Sequence, residues 1–505
     1  IESAVNAYKQ LLSLLKKEKE KAKDNGKSDA NANAIVQYSV SLYRASSWGC
    51  DWSRWDTLES MAIALLEGRL KASGGNTSDM KKMTRTFGDF VDVSPIQLKI
   101  VNERHSIQVS QNYQNNEIDQ NQRQGQIQDQ SESEIPKIMK QLKIGFISSD
   151  FGVHPVSSLI RGLLQKFAPD SIRFNSSDLV TYVYIRTNDQ SWWRENITNM
   201  YSSNIRSLYG TSYEHSVATI QADTLDVLVD LNGWTMHSGL ELLANSKRLA
   251  TVHVTFLGYS MTTGSSFVDY YMTDTIATEI ETSKYSFTEK LVLTGGSFFA
   301  NDYVGLQSHV VWKENQEEKI KYHEVTTLNT ILLPKRDYSV SKKNTDETLL
   351  QSALDMAKMK EQPPIIYACF SDFRKMDPTL FDSWMNILRK EPLSFLWLIK
   401  HHKLDSAVTR LKMEAVKRGV ASYRIVVTSK EPWINHIFTK RTADVILDTR
   451  RTNGHTSNAD GLWGGVPVLT LQGKRMGTRI TSSLLTSLSG WENLTNEKTN
   501  KYELK

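Results

Sequence analysis

The rhythm of apolar positions changes near Leu142. Before that point apolar residues recur at intervals of three and four, the spacing of one helix face. Val5, Tyr8, Leu11, Leu12 and Leu15 predict a helix over residues 1–24, with the Lys/Glu run 16–21 on its solvated side. Asn25–Gly26 and residues 29–33 break it. Two more helices are expected over 34–46 and 52–72, the second after Asp51 or Ser53 as N-cap. Such pairs are compatible with the last units of a tetratricopeptide-like array, although no period repeats within this stretch. Residues 95–109 form a shorter amphipathic segment. Across 111–130, 12 of 20 residues are Gln or Asn, which predicts a disordered insert without chemistry.

From Leu142 onward short apolar runs alternate with helical patterns. Runs at 142–148, 179–185, 227–230, 251–257 and 291–294 predict strands, with a helix at 157–166. Residues 304–362 are polar and read as a linker. After Pro363–Pro364 the alternation restarts: strands at 365–370, 393–399, 423–428, 443–448 and 467–471, helices at 378–389, 406–419, 433–441 and 456–463. The fold class is therefore α/β, as two Rossmann-like domains facing across a cleft behind an N-terminal helical segment. The expected organisation is a helical segment over 1–110 and a Gln/Asn-rich insert over 111–135. A first Rossmann-like domain follows over 136–303, then a linker over 304–362 and a second domain over 363–505. Ligands of such sheets sit beyond the carboxyl ends of the strands, so the loops after strands carry the interest.

Composition narrows the function classes. With 505 residues, 39% apolar and 23% charged, the chain has material for more than one core. No apolar run approaches the ~18 residues of a membrane-spanning helix. A net charge of +5 is small for this length and gives no sign of a nucleic-acid partner. The two cysteines, Cys50 and Cys369, form neither a disulfide framework nor a zinc motif, which fits a reducing, cytoplasmic or nuclear compartment. The chain opens on Ile1 without a signal-peptide pattern, as expected of a piece whose N-terminus lies upstream.

Three loops hold candidate chemistry. Ser148–Pro155 follows the first strand of the first domain and carries His154, which would exchange a proton with a ligand or simply pack under the next helix. Phe370–Pro378 follows the first strand of the second domain and carries Lys375, either a cation for a leaving diphosphate or a surface lysine. Asn453–Asp460 opens a helix with Gly454, His455, Thr456, Ser457 and Asp460. Its free N–H groups, dipole and hydroxyls suit phosphate, and Asp460 one turn on would accept from a ribose hydroxyl. The plain alternative is an ordinary Thr/Ser N-cap. His436, early in another helix, would stack on a nucleobase or serve the core. No Asp-x-Asp occurs, so no paired carboxylates are offered to chelate a metal against a diphosphate, and no metal is expected.

These residues resemble the catalytic region of the protein O-linked N-acetylglucosaminyltransferases, a GT-B glycosyltransferase family. The matching segments are KIGFISSDFGVHPVSSL (143–159), TFLGYSMTTGSSFVDYYMTD (255–274), 367–399 and ADVILDTRRTNGHTSNADGLWGGVPVLTL (443–471); GCDWSRWDTLESM (49–61) is similar to that family's link to its repeats. The resemblance implies a GT-B fold and a metal-independent transfer of N-acetylglucosamine from UDP-GlcNAc to Ser or Thr hydroxyls of intracellular proteins. It implies no cofactor. Catalytic roles fall on His154 and Lys375. Donor contacts fall on Gly258, Asp372, Lys375, Glu431, Trp433, His436, Thr439, His455, Thr456, Ser457 and Asp460. Upstream repeats would also allow a homo-oligomer.

This sequence departs from the family at several of those positions. Asp372 replaces a glutamine near the diphosphate, Ser260 a proline, Ser457 the second Thr of HTT, Trp433 a ribose-contacting lysine and Thr439 a base-contacting arginine. Two other readings stand beside the first: a SPINDLY-type O-fucosyltransferase using GDP-fucose, whose donor loop resembles GTTTTCES, and a non-catalytic scaffold. GHTSNAD is nearer the N-acetylglucosamine enzymes.

Overall fold

A computed structural model describes residue 52 and residues 94–121, 141–169, 179–309, 364–400, 405–430 and 433–488. The helices expected over 1–24, 34–46 and 52–72 lie outside the described residues, apart from Trp52. That side chain is buried edge-on against Phe381, with ring centroids 5.0 Å apart.

The first described element is α1 (Pro95–Asn121). It runs past the short segment expected over 95–109 and into the Gln/Asn-rich stretch expected to be disordered. Its buried positions Leu98, Val101, Asn102, His105 and Val109 follow the helical three–four spacing. They pack on loops at the carboxyl end of the first sheet. Asn102 Nδ2 donates to the Thr262 carbonyl at 2.6 Å, and the His105 ring lies 4.3 Å from that of Trp234.

The first domain is a seven-stranded, wholly parallel sheet. Its strands are β1 (Leu142–Ser148), β2 (Leu179–Ile185), β3 (Ile205–Ser207), β4 (Leu225–Asp230), β5 (Ala250–Thr255), β6 (Tyr270–Thr273) and β7 (Lys290–Leu293), in the order β3-β2-β1-β4-β5-β6-β7. The helices among and after them are α2 (Pro155–Phe167), α3 (Trp192–Met200), α4 (Tyr213–Ala222), α5 (Leu240–Leu243), α6 (Ile280–Ser286) and α7 (Tyr303–His309). Five strands coincide with apolar runs because a parallel sheet covered on both faces needs them. β3 and β6 escaped notice: one is three residues long, the other four and rich in Tyr. The run read as 251–257 stops at Thr255, since Leu257 adopts φ +71 and turns the chain. The polar stretch read as a linker from 304 begins instead within α7.

The second domain holds β8 (Ile365–Cys369), β9 (Ser394–Lys400), β10 (Ile425–Ser429), β11 (Val445–Leu447) and β12 (Val468–Leu469), parallel and ordered β10-β9-β8-β11-β12. Its helices are α8 (Pro378–Lys390), α9 (Asp405–Lys417), α10 (Trp433–Lys440), α11 (Thr456–Trp463) and α12 (Ile480–Thr486). α8 starts where Asp377 accepts from the Leu380 N–H at 3.0 Å with Pro378 in the first turn. It buries Leu380, Phe381, Trp384, Met385 and Leu388, each stabilising the fold by roughly 1.5–3 kcal/mol.

Each sheet reverses its winding once. In the first, the chain goes from β1 to β2 and β3, then returns to place β4 on the other side of β1. In the second, β11 returns to the free side of β8 in the same way. Crevices open at these reversal points, between the loops after β1 and β4 and between the loops after β8 and β11. All three loops singled out above lie there.

The two domains touch through side chains on α7, α11 and α12 and the loop after β6. Ser483 Oγ donates to Asp274 Oδ2 at 2.6 Å, Arg479 Nε to the Ile276 carbonyl at 2.7 Å, and the Tyr303 hydroxyl to Asp460 Oδ1 at 2.7 Å. A Cβ on Gly477 would sit 3.0 Å from Ser260 Oγ, so the loop before α12 lies directly against the loop after β5.

Candidate active site

On the first domain the β1 loop is pinned from both flanks. Asp150 N–H donates to Ser148 Oγ at 2.9 Å, and Ser157 Oγ donates to the Asp150 carbonyl at 2.7 Å. His154 then caps α2. Its Nδ1 lies 3.3 Å from the Val156 N–H nitrogen and 3.4 Å from Asp150 Oδ2, and its side chain is 47% exposed. The neighbouring β4 loop contributes Asn232, fully buried, whose Nδ2 donates to Asp150 Oδ2 at 2.7 Å and whose Oδ1 accepts from Ser149 N–H at 2.8 Å. Behind it Asp230 is fully buried. Burial pushes its carboxyl up to about 7, against hydrogen bonds from Gly233, Asn232 and Thr255.

Gly258 closes this side. A Cβ there would stand 1.9 Å from the Leu231 carbonyl, so only glycine lets the loops after β4 and β5 touch.

On the second domain the β8 loop forms a single 3-10 turn over Phe373–Lys375. Lys375 leaves it toward the β11 loop, and Nζ donates to the Asn453 carbonyl at 2.5 Å. That loop is shaped by the buried Asp448, which accepts from Gly454 N–H at 2.8 Å and Thr470 Oγ1 at 2.7 Å. His455 follows at φ +45 and ψ −115, a conformation that side-chain-bearing residues rarely adopt and that stores strain of order 1–3 kcal/mol. Its Nε2 donates to the Gly477 carbonyl at 3.1 Å, which leaves Nδ1 as an acceptor. Burial first, and the Lys375 charge second, hold the imidazole down to about 3, so it is neutral at pH 7. Thr456 and Ser457 begin α11, at the positive end of its dipole. Lys375, a neutral His and a helix start therefore converge from the two reversal loops. The combination suits a diphosphate.

The remaining expected residues fall into place unevenly. Asp372 carries an anion into this region, but Arg374 Nε and Nη2 each bond one of its oxygens at 2.9 Å. The pair is neutral as a unit. His436 on α10 is buried, with its ring 6.0 Å from Phe370 in an edge contact. Thr439 lies one turn further, its carbonyl accepting from Thr442 Oγ1 at 2.8 Å. Trp433 opens α10, and Glu431 lies outside the described residues. Asp460, expected to face a ribose, is only 3% exposed: Oδ2 accepts from Lys440 Nζ at 2.8 Å and Oδ1 from the Tyr303 hydroxyl. Among the described residues no group of three His, Cys, Asp or Glu is placed to hold a metal ion. No helix among them is long and apolar enough to cross a membrane.

Sequence reading overlooked Asn232, Lys440, Tyr303 and Asp448. Asn232 had a signal, an Asn-Gly pair directly after a strand, as did Asp448 at a strand end. Lys440 and Tyr303 had none, because a lysine at a helix end and a tyrosine after a loop look like surface residues.

The sequence matches the model of glycosyl transferase family 41 over residues 107–364 and 341–504. A probable UDP-N-acetylglucosamine–peptide N-acetylglucosaminyltransferase SEC of Arabidopsis thaliana is 30% identical over 347 residues, 68% of this chain and 30% of that protein. The UDP-N-acetylglucosamine–peptide N-acetylglucosaminyltransferase of Caenorhabditis elegans is 25% identical over 419 residues, 69% of this chain and 35% of that protein. A probable enzyme of the same description, SPINDLY of rice (Oryza sativa subsp. japonica), is 24% identical over 374 residues, 73% of this chain and 34% of that protein. The chain thus spans about a third of the length of these relatives. Among solved structures, a mutant O-GlcNAc transferase of Thermobaculum terrenum superimposes with a TM-score of 0.62 at 19% identity, covering 89% of this chain and 72% of that one. That likeness is one of fold, and the fold is GT-B. The family match reaches across both sheets and both pairs of reversal loops, and the chain belongs to glycosyl transferase family 41.

Proposed function

We propose that this chain carries an inverting glycosyltransferase site that moves N-acetylglucosamine from UDP-GlcNAc to Ser or Thr hydroxyls of proteins. The observation that carries the reading is the bond from Lys375 to the Asn453 carbonyl, in the loop that leads into the His455–Ser457 helix start at the reversal point of the second sheet. In this reading the acceptor oxygen attacks the anomeric carbon and forms the new C–O bond. The bond to the β-phosphate oxygen breaks, and UDP leaves with its electron pair. The growing charge falls on Lys375 and the positive end of α11. The acceptor proton goes to His154 Nε2 or to a donor phosphate oxygen. The choice of N-acetylglucosamine rests on the SEC relative, which is more similar than the SPINDLY relative.

The test is turnover of UDP-GlcNAc and GDP-fucose in parallel, with and without chelator, on a peptide acceptor. UDP-GlcNAc turnover lowered about 100- to 1,000-fold by Lys375→Ala, and abolished by His154→Ala, is expected. Turnover of GDP-fucose alone would transfer the assignment to fucose. Binding of neither donor leaves a scaffold with the GT-B fold.

A further inference from the structure

Two adjacent residues after the first sheet each hold a helix of a different domain. Asp302 Oδ2 accepts from Arg161 Nη1 on α2, the helix that His154 caps. The Tyr303 hydroxyl donates to Asp460 Oδ1 at 2.7 Å on α11, the helix that Thr456 and Ser457 begin. Neither is a surface contact. Arg161 is 2%, Tyr303 7% and Asp460 3% exposed.

Room for the Asp302 carboxylate is made by two glycines. A Cβ on Gly162 of α2 would stand 2.6 Å from its Oδ1, and a Cβ on Gly305 of α7 2.3 Å from the same atom. A side chain at either position would push the carboxylate away from Arg161. Polar contacts continue at both ends. Arg161 Nε donates to Asn196 Oδ1 on α3 at 2.8 Å. Asp460 Oδ2 accepts from Lys440 Nζ at 2.8 Å, and Nζ also donates to the Ser457 carbonyl at 3.2 Å in the first turn of α11. The Tyr303 ring stacks on Trp463 with centroids 5.3 Å apart, and Phe299 meets the His455 ring edge-on at 6.3 Å. A buried polar chain thus crosses from α3 and α2 through Asp302 and Tyr303 to α11 and Lys440. A link left unmade would strand a buried polar group, so the chain holds as a unit.

We propose that Asp302 and Tyr303 are positioning residues that tie α2 to α11 and so set the distance across the cleft between His154 and the Lys375–Ser457 side. The effect on transfer rests on the function proposed above; the coupling of the domains does not. The contacts of α12 with the loop after β6 are separate from this chain, so losing it should leave the domains docked and alter only how α2 stands against α11.

Two links in series have a signature. Breaking either one uncouples α2 from α11, and breaking both does no further harm, whereas independent contacts would add. Tyr303→Phe removes the hydroxyl and keeps the ring on Trp463; Arg161→Gln breaks the other link. Where Arg161→Gln does not fold, Gly162→Ala replaces it, because its Cβ displaces the carboxylate. The full chain is read by steady-state turnover of UDP-GlcNAc, calorimetry with UDP, and hydrogen exchange without ligand. Each single variant should lower kcat about 10- to 100-fold, the scale of a ~1 Å misplacement. UDP affinity should stay within about twofold, because the diphosphate site lies on the second domain, and the double variant should be no slower than the slower single one. Tyr303→Phe should speed exchange at α2 as well as at α11. Losses in kcat that multiply in the double variant, a loss confined to UDP affinity, or faster exchange confined to α11 would each overturn the proposal. If the unsubstituted chain turns over no donor, the functional reading fails and exchange alone judges the coupling. If it turns over UDP-GlcNAc and folded Tyr303→Phe keeps its kcat, the positioning fails and the functional reading stands.

Discussion

Replacing Lys440 by methionine removes one half of an ion pair that has no solvent to fall back on. Lys440 is 0% and Asp460 3% exposed, with 2.8 Å between Nζ and Oδ2. At an effective dielectric near 20 their attraction is about 6 kcal/mol. Desolvating each ion costs several kcal/mol. The balance is close, and the lysine shows which way it tips: burial lowers its pKa more than Asp460 raises it. Lys440→Met should therefore leave an uncompensated carboxylate whose remaining partner is the Tyr303 hydroxyl, costing about 3–5 kcal/mol. Asp460→Asn should cost about as much, leaving the ammonium with the Ser457 carbonyl at 3.2 Å and the Phe370 ring at 5.2 Å. The double variant should return to within about 1–2 kcal/mol of the starting chain, because both desolvation costs disappear together. Urea denaturation of the full chain, followed by hydrogen exchange at α10 and α11, reads this domain separately from the first. UDP binding should follow the same pattern, since Lys440 also bonds the first turn of α11. Single variants costing less than about 1 kcal/mol, or effects that simply add, would refute the reasoning.

His455 makes the second domain acid-sensitive. Its pKa is about 3 folded against about 6.5 unfolded, so the unfolded chain takes the proton first and stability falls as pH drops from about 6.5 toward 3, by up to about 4–5 kcal/mol. His455→Asn should lack that part of the slope when urea midpoints are compared at pH 7 and pH 4. Gly258→Ala should cost about 3 kcal/mol, measured as a lowered Tm, because its Cβ would stand 1.9 Å from a backbone oxygen that no rotamer change can move. Arg374→Gln should weaken UDP binding about tenfold in calorimetry by unmasking the Asp372 carboxylate, and adding Asp372→Asn should restore it. Unchanged affinity in Arg374→Gln would mean that Asp372 does not face the anion.

Most of the strands, and the loops that matter, were legible one segment at a time. Apolar runs marked ten of the twelve strands among the described residues, because parallel strands covered on both faces have no polar side to show. The strand-to-helix loops offered Lys375, Gly454, His455, Thr456 and Ser457 as candidates, since Gly, hydroxyls and cations at a helix start are local features. His154 was visible for the same reason. The order of the strands within each sheet was not written in any run of residues. It follows from which strands pair, and only that pairing sets the β1 loop beside the β4 loop and the β8 loop beside the β11 loop.

The fate of individual charges was decided still further from the local sequence. Asp460 looked like a ribose ligand one helical turn from a phosphate site. Lys440, 20 residues before it, and Tyr303, 157 residues before it, each donate to one of its oxygens. His154 was a lone imidazole until Asn232, 82 residues beyond Asp150, fixed the carboxylate beside it. Secondary structure answers to neighbours in sequence, through backbone geometry and the burial of one face. Protonation, tautomer and ion pairing answer to whatever burial brings within about 4 Å, where a missing partner costs kilocalories, and in this fold those partners come from other strands and from the other domain.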